Sequence, residues 1–469
     1  MRKLFFQGIK GAGQANLALI AKRLGYQVLG SDTSQHFITD QMLKEAKIKV
    51  IDLDQINLES ADSLIYSAAH DGLMSLQGQE ANRLGIDLIH QSEFIHLLEQ
   101  QFEMSIAVAG THGKTGTTSL LAFVLEKLEP KIAYMIGSSA SKMPSGHYGG
   151  KEYFVYEADE YGVMPPVDLR SKLDLINPDT CLVTSIDFDH PDVFKDLNQI
   201  EQTFIRLSNR IARKNGLVLY CADDQNSVST FAKSSAKLID FGYKAKQIKI
   251  QSVTIGQNHT EVSLVFDLVT RSNQQINQVE QFQLPIFGKK LIGNVAGVIG
   301  LLVWLDYPIK KIAEIIKDFP GIRRRQELIA VTRDDNYLFD DYGHHPVEIR
   351  TVIESIKSRL PERRLIVVFQ AHSFSRTIAF AQEFVEALAE AEVVINLPIF
   401  ASARERAEDF KELDLVRIAK KQGYDQFFAA EGIGQAADLV RQNIRPRDII
   451  LSLGAGESYK LFDYLEQLV

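Results

Sequence analysis

The stretch of this 469-residue chain best equipped for chemistry is Gly110-Thr111-His112-Gly113-Lys114-Thr115, continued by Gly116 and Thr117. Apolar Ile106, Ala107, Val108 and Ala109 precede it as a short buried strand, and Leu120, Leu121, Val124, Leu125 and Leu128 follow at helical spacing. Gly110 and Gly113 therefore fall in a strand-to-helix turn. There a missing Cβ lets backbone N–H groups approach an anion, and the helix N-terminus favours negative charge. Lys114 would reach the β/γ-phosphates of a nucleotide, and the Thr115 hydroxyl would bind Mg²⁺. The longer pattern G-x-x-x-x-G-K-[ST] would need glycine where Val108 stands, so this loop is a shortened version. The structural alternative is a packing turn with a surface lysine.

Two further clusters belong with this loop. Strand-like residues 153–156 run into Glu157-Ala158-Asp159-Glu160-Tyr161, and residues 181–185 run into Asp187-Phe188-Asp189-His190-Pro191-Asp192. In a parallel α/β sheet the C-terminal strand ends share one edge with the phosphate loop, so both clusters can face one crevice. Carboxylates suit Mg²⁺ and a neutral imidazole can complete a mixed site, which makes Glu157 and His190 candidate metal ligands. A solvated acidic loop is the alternative for either cluster alone.

The elements around these residues alternate throughout. Residues 3–9 read as a strand, Gly8, Gly11 and Gly13 as a turn, residues 17–24 as a helix, and residues 26–29 as a second strand ending in Gly30-Ser31-Asp32. This is a βαβ arrangement whose Asp32 is placed to hold a ribose hydroxyl. The glycines do not spell G-x-G-x-x-G, because Lys10 takes the middle position counted from Gly8 and Asn16 the last counted from Gly11. A nicotinamide oxidoreductase is correspondingly disfavoured, and a turn that only packs helix on strand is the alternative. Strands are expected at 49–51, 63–66 and 87–89, then at 262–269 and 280–285, with a helix over 292–305. Asp223-Asp224-Gln225 reads as a turn and residues 272–278 as a polar hairpin loop. Past Pro320-Gly321 and Arg323-Arg324-Arg325, strands at 338–339, 365–369, 393–397 and 449–453 alternate with polar clusters. Two of these are Asp341-Tyr342-Gly343-His344-His345 and Gln370-Ala371-His372-Ser373-Phe374-Ser375-Arg376.

The expected class is α/β in three domains: a Rossmann-like domain over 1–101, a central P-loop ATPase domain over 102–320, and a C-terminal Rossmann-like α/β domain over 321–469. A net charge of −8 gives no basic footprint for nucleic acid. Cys181 and Cys221 read as small core residues in a reducing compartment. Gln7 and Lys10 interrupt any signal-peptide core, and no apolar run is long enough to span a bilayer, so a cytoplasmic protein is expected. Nothing in the sequence specifies an oligomeric state.

Taken together, Gly110 to Thr115, Glu157-Ala158-Asp159-Glu160, Asp340-Asp341-Tyr342-Gly343-His344-His345-Pro346, and Phe369-Gln370 to Ser375-Arg376-Thr377 resemble the motifs of the Mur ligase family over the whole chain. The resemblance implies an ATP- and Mg²⁺-dependent ligase of peptidoglycan precursor synthesis. It would join UDP-N-acetylmuramate to an amino acid or short peptide through an acyl phosphate. Lys114 would stabilise the γ-phosphate, and Thr115, Glu157 and His190 would organise Mg²⁺. Asn294 would help hold adenine, and Arg325 with Asp341 would approach the nucleotide. Gly11, Ala12, Gly13, Asp32 and Ser67 would face the UDP-sugar. Tyr342, His344, His345 and Arg376 would lie near the incoming amine, with His190, Arg325, His344 and His345 among the catalytic candidates.

Most features are similar to the alanine-adding members, while Tyr161 and the segment from Phe188 to Phe194 are similar to the members that recycle a murein tripeptide. The chain departs from the family pattern at Lys10 (glycine), Gly116 (threonine), Lys290-Leu291 (His-Asn) and Ser373 (arginine). These departures leave open a homologue that binds nucleotide without ligating.

Overall fold

The computed structural model describes residues 2–55, 58, 61–137, 143–256, 259–286, 288–321, 323–400 and 414–466; the side chains of Lys289 and Lys290 lie outside the described residues. Three main sheets organise the chain. The first is fully parallel and runs Lys49–Asp52, Gln27–Asp32, Lys3–Gln7, Ser63–Tyr66, Asp87–His90 in spatial order. The order reverses beside Lys3–Gln7, the strand that feeds the glycine turn, and such a reversal opens a crevice at the C-terminal strand ends.

The second sheet has ten strands. Its centre places Met104–Ala109 between Thr180–Val183 and Tyr153–Glu157, all parallel, with Leu217–Cys221 and Lys237–Gly242 continuing one side. Every residue of Met104–Ala109 is buried, as expected for a strand covered on both faces. The third sheet runs Glu327–Val331, Tyr337–Asp341, Ile449–Leu453, Leu365–Phe369, Val393–Asn396, Phe427–Ala429, with only the first pair antiparallel. Leu365, Val367 and Phe369 enter the core on one face of that sheet, and Ile366 and Val368 the core on the other. Each such buried side chain contributes roughly 1.5–3 kcal/mol.

By its contacts the chain forms two compact units. One comprises Met1–Val253, Glu261–Leu284 and Gly293–Phe319; the other comprises Thr254–Thr260, Pro285–Ile292 and Pro320–Val469. The first two sheets share a unit because one apolar cluster passes from Leu4, Phe6 and Phe94 through Phe102 to Ala107, Phe154 and Tyr156. Polar ties reinforce it: Asn16 Nδ2 donates to the Ile136 carbonyl at 3.1 Å, and the Ser145 hydroxyl donates to Asn16 Oδ1 at 2.9 Å. Asn16, which breaks the glycine pattern of the first turn, is thus a buried connector.

Several local expectations are corrected. The polar loop expected over 272–278 is shorter, because the strand Gln275–Leu284 starts inside it. Gln225, expected in a turn, begins the helix Gln225–Phe231, and Asp224 caps that helix by accepting from Ser227 N. Both cysteines are free and buried, and burial pushes the Cys181 thiol up to about 12. Among the described residues, no helix is long and apolar enough to cross a membrane.

Candidate active site

The strand Met104–Ala109 ends at Gly110 and the helix Lys114–Leu128 begins four residues later. Gly110 (φ +127) and Gly113 (φ +80) occupy backbone conformations that side chains rarely adopt. A Cβ on Gly110 would stand 2.3 Å from Thr184 Oγ1, and one on Gly113 would stand 2.6 Å from Asn294 Nδ2. Asn294 therefore lies directly against the loop. The neighbouring strand end closes the other side: Thr111 N donates to the Ser185 carbonyl at 2.9 Å, and the Thr184 hydroxyl donates to the His112 carbonyl at 2.6 Å. Thr117, on the first turn of the helix, donates its hydroxyl back to the Gly113 carbonyl at 2.9 Å. Gly116 lies one residue before it in the same helix.

Lys114 turns back over the loop. Its Nζ donates to the carbonyls of Gly110 (2.6 Å) and Thr111 (3.3 Å) and to Glu160 Oε2 (2.8 Å). Burial works against its charge, but Glu160, with Asp159 and Glu157, outweighs burial and lifts the ammonium above the usual lysine range. Thr115 donates its hydroxyl to Glu157 Oε1 at 3.2 Å, and Glu157 Oε2 accepts from Gly137 N at 3.0 Å. Burial raises the Glu157 pKa, opposed by Lys114 and these two donors.

The metal-ligand candidates separate into two groups. Thr115 and Glu157 form one. His190 joins the other, because its Nε2 is 3.8 Å from Glu160 Oε1. Asp159, Glu160 and His190 offer ligand atoms all within 4.8 Å of one another, the one such grouping among the described residues. Glu160 is buried, and its Oε1 has no hydrogen-bond donor. An unsatisfied buried carboxylate oxygen is costly, which suits a site completed by a cation.

Sequence reasoning did not single out Asp159 and Glu160 as metal-ligand candidates although both stand in the quoted Glu157-Ala158-Asp159-Glu160 run. It also missed Lys172, whose Nζ is 2.7 Å from Asp159 Oδ2. Burial pushes Asp159 up, but Lys172, Lys114 and His190 together hold its carboxyl below the usual range. His190 has φ +58 and packs against the Tyr161 ring at 4.7 Å, while the Tyr161 hydroxyl donates to Asp192 at 2.6 Å.

At the first sheet, Gly8 rather than Gly11 or Gly13 takes the left-handed conformation, φ +64. Gly11 caps the helix Ala12–Arg23, so Gly11, Ala12 and Gly13 form its N-terminal turn. Asp32 is already engaged: Oδ2 accepts from Lys10 N and Oδ1 from Thr33 N, both at 2.7 Å, with His70 Nε2 3.6 Å from Oδ1. Ser67 Oγ accepts from Ala69 N at 3.3 Å, beyond the end of Ser63–Tyr66.

In the C-terminal unit, Asp341 accepts from Gly343 N at 2.7 Å and Gln326 N at 2.8 Å. Burial lifts its pKa to about 6, against the pull of Arg325. Arg325 lies over the Tyr342 ring at 5.5 Å. His344 Nδ1 donates to the Tyr342 carbonyl at 3.2 Å; burial, then Arg376 and Arg325, lower its pKa to about 4 despite Glu348. His345 Nδ1 instead caps the helix Pro346–Arg359 and its ring packs on Phe380 at 5.0 Å. Ser373, at φ +70, accepts from Arg376 N and caps the short helix Phe374–Ala379. Arg325, Tyr342, His344 and Arg376 therefore gather at one sheet edge, while His345 serves the helix.

Comparison with known proteins fits these features. Residues 4–103 match the Mur ligase family catalytic domain, 108–302 the Mur ligase middle domain, and 324–456 the Mur ligase glutamate ligase domain. A protein named UDP-N-acetylmuramate--L-alanine ligase from Desulfitobacterium hafniense (strain Y51) is 31% identical over 463 residues, spanning 98% of each chain. One of the same name from Lactobacillus gasseri is 32% identical over 475 residues, spanning 100% of this chain and 99% of that one. Among solved structures, UDP-N-acetylmuramate-alanine ligase from Thermotoga maritima superposes with a TM-score of 0.76 at 20% identity, covering 100% and 99% of the two chains. A murein peptide ligase from Psychrobacter arcticus 273-4 does so with a TM-score of 0.71 at 21% identity, covering 100% of both. The two structural likenesses speak for the fold alone, but the three domain matches and the full-length relatives agree with the loop and its carboxylates: the chain belongs to the Mur ligase family.

Proposed function

We propose that this protein is an ATP- and Mg²⁺-dependent ligase that forms an amide between the carboxylate of UDP-N-acetylmuramate and the amino group of L-alanine, a step of peptidoglycan precursor synthesis. The observation that carries the reading is the Lys114–Thr115 helix start facing Glu157, Glu160 and His190, in a chain that aligns end to end with L-alanine ligases. A carboxylate is a poor electrophile. It is activated when one of its oxygens attacks the γ-phosphorus of ATP and ADP leaves; the amine then attacks the acyl carbon, phosphate departs and the ammonium proton is lost to solvent or a base.

The protein's share of this chemistry is placement and charge compensation. The loop N–H groups and the helix start receive the phosphates, and Lys114 exchanges Glu160 for a γ-phosphate oxygen. Asp159, Glu160 and His190 form one group that fits a magnesium ion and Thr115 with Glu157 a second; magnesium, when bound, would neutralise charge on the phosphate oxygens during in-line transfer. Glu157 also fixes the 137 backbone through its contact with Gly137 N. In the C-terminal unit, Arg325 and Arg376 around a neutral His344 suit the carboxylate of an incoming amino acid or peptide.

A second reading attaches a preformed murein tripeptide to the same sugar acid. It is favoured by Tyr161 packed at a tilt against His190 and bonded to Asp192, and by Ser373 in place of an arginine. Phosphate release from ATP with UDP-N-acetylmuramate separates the readings. Stimulation by L-alanine is expected; stimulation by the tripeptide alone would replace the first reading with the second, and ATP binding without amide product under any amine would refute both.

A further inference from the structure

We infer that Lys10 is a positioning residue that fastens residues 33–40 as a fixed wall of the nucleotide-sugar site, an inference that rests on the function proposed above. Every polar group of this residue is engaged. Its N–H donates to Asp32 Oδ2 at 2.7 Å, and its carbonyl accepts from the Thr39 hydroxyl. Its Nζ donates to the carbonyls of Thr33 (2.9 Å) and Gln35 (2.8 Å) and lies 3.5 Å from Asp40 Oδ1. The same ammonium is 5.8 Å from the centre of the Phe37 ring. The side chain is only 12% exposed.

Surface lysines are usually solvated and mobile, and ordering one costs rotamer entropy. Here two hydrogen bonds from a charged donor and a nearby carboxylate offset that cost. The residues held in this way leave the C-terminal end of Gln27–Asp32, the strand paired with Lys3–Gln7, and so border the glycine turn where this sheet type takes ligands. They have no regular structure until the helix Asp40–Glu45, and they present Phe37 (39% exposed) and Ile38 (72% exposed) to solvent. Left loose, such a segment would have to be ordered by the ligand, at an entropic cost for each side chain immobilised. Lys10 moves that cost from binding to folding. The glycine of the family pattern has no side chain with which to make the ammonium contacts.

The test compares wild type with Lys10→Met, which keeps the stem without the charge, and Lys10→Arg, which keeps a cation. Calorimetric titration with UDP-N-acetylmuramate, without ATP or amine, reads binding apart from turnover. Thermal midpoints confirm that each variant is folded, and steady-state kinetics separate KM from kcat. Lys10→Met is expected to bind roughly tenfold more weakly, about 1.4 kcal/mol. The loss should appear in KM for the sugar nucleotide rather than in kcat or in KM for ATP, and Lys10→Arg should recover most of it. Proteolytic nicking within 33–40 should be faster in Lys10→Met than in wild type. Equal binding by wild type and Lys10→Met, or equal nicking, overturns the inference and leaves the ligase reading intact. Absence of sugar-nucleotide binding by wild type overturns the proposed function and the wall's ligand together.

Discussion

Replacing Lys114 by methionine removes a cation and strands an anion. Lys114 Nζ lies 2.8 Å from Glu160 Oε2, and the two side chains are 13% and 1% exposed. The other Glu160 oxygen has no hydrogen-bond donor to fall back on. Removing one partner of a buried ion pair costs about 3–5 kcal/mol, whereas replacing both with neutral groups is often close to neutral. The lysine's two carbonyl contacts within the loop contribute about 1 kcal/mol more.

Lys114→Met should therefore lose about 4–6 kcal/mol, and the double variant Lys114→Met/Glu160→Gln should recover about 3–5 kcal/mol of that. Neither should transfer phosphate. Trp304, the sole tryptophan, belongs to the same unit and reports its unfolding by fluorescence in urea. The difference should appear in the midpoint at unchanged slope. A single variant as stable as wild type, or a double variant no more stable than the single, would refute the view that Lys114 holds a buried carboxylate between catalytic cycles.

Two further outcomes follow from the geometry. Gly113→Ala places a Cβ 2.6 Å from Asn294 Nδ2 at φ +80, so ATP affinity measured by calorimetry should fall at least tenfold; undiminished binding would show the loop is no phosphate cradle. His344 has its pKa lowered to about 4 in the folded protein, against about 6.5 unfolded. Its contribution is therefore fully present above pH 6.5 and lost as pH falls toward 4, on the order of 3 kcal/mol. Asp341, lifted to about 6, has the opposite slope, because the folded state binds the extra proton and stability falls as pH rises from about 4 to 6. The readout is thus the difference between wild type and His344→Gln across this range: the variant should lose less stability on acidification, and identical curves would contradict the assignment.

The turn from Gly110 to Thr115 was legible because its signal is local: an apolar strand, two glycines and a lysine within six residues specify turn and helix start together. The strand ends were legible for the same reason, with Leu365–Phe369 and Ile449–Leu453 found as expected. Side-chain destinations were not. Which of Glu157 and Glu160 meets Thr115 and which meets Lys114 depends on how the chain turns after Tyr153–Glu157. The role of Asn16 depends on residues 136 and 145, more than a hundred positions away. Lys10 looked like a lost glycine because Thr33, Gln35 and Asp40 meet it only after the first two strands pair. Asp32, expected to hold a ribose, is occupied by that same turn.

The most direct measurement supplies UDP-N-acetylmuramate carrying ¹⁸O in both carboxylate oxygens, with ATP, Mg²⁺ and L-alanine, and reads both products by mass spectrometry. Activation through an acyl phosphate leaves one labelled oxygen in the new amide and delivers the other to inorganic phosphate. Labelled phosphate together with UDP-N-acetylmuramoyl-L-alanine is the expected result; unlabelled phosphate, or no amide from L-alanine, would contradict it.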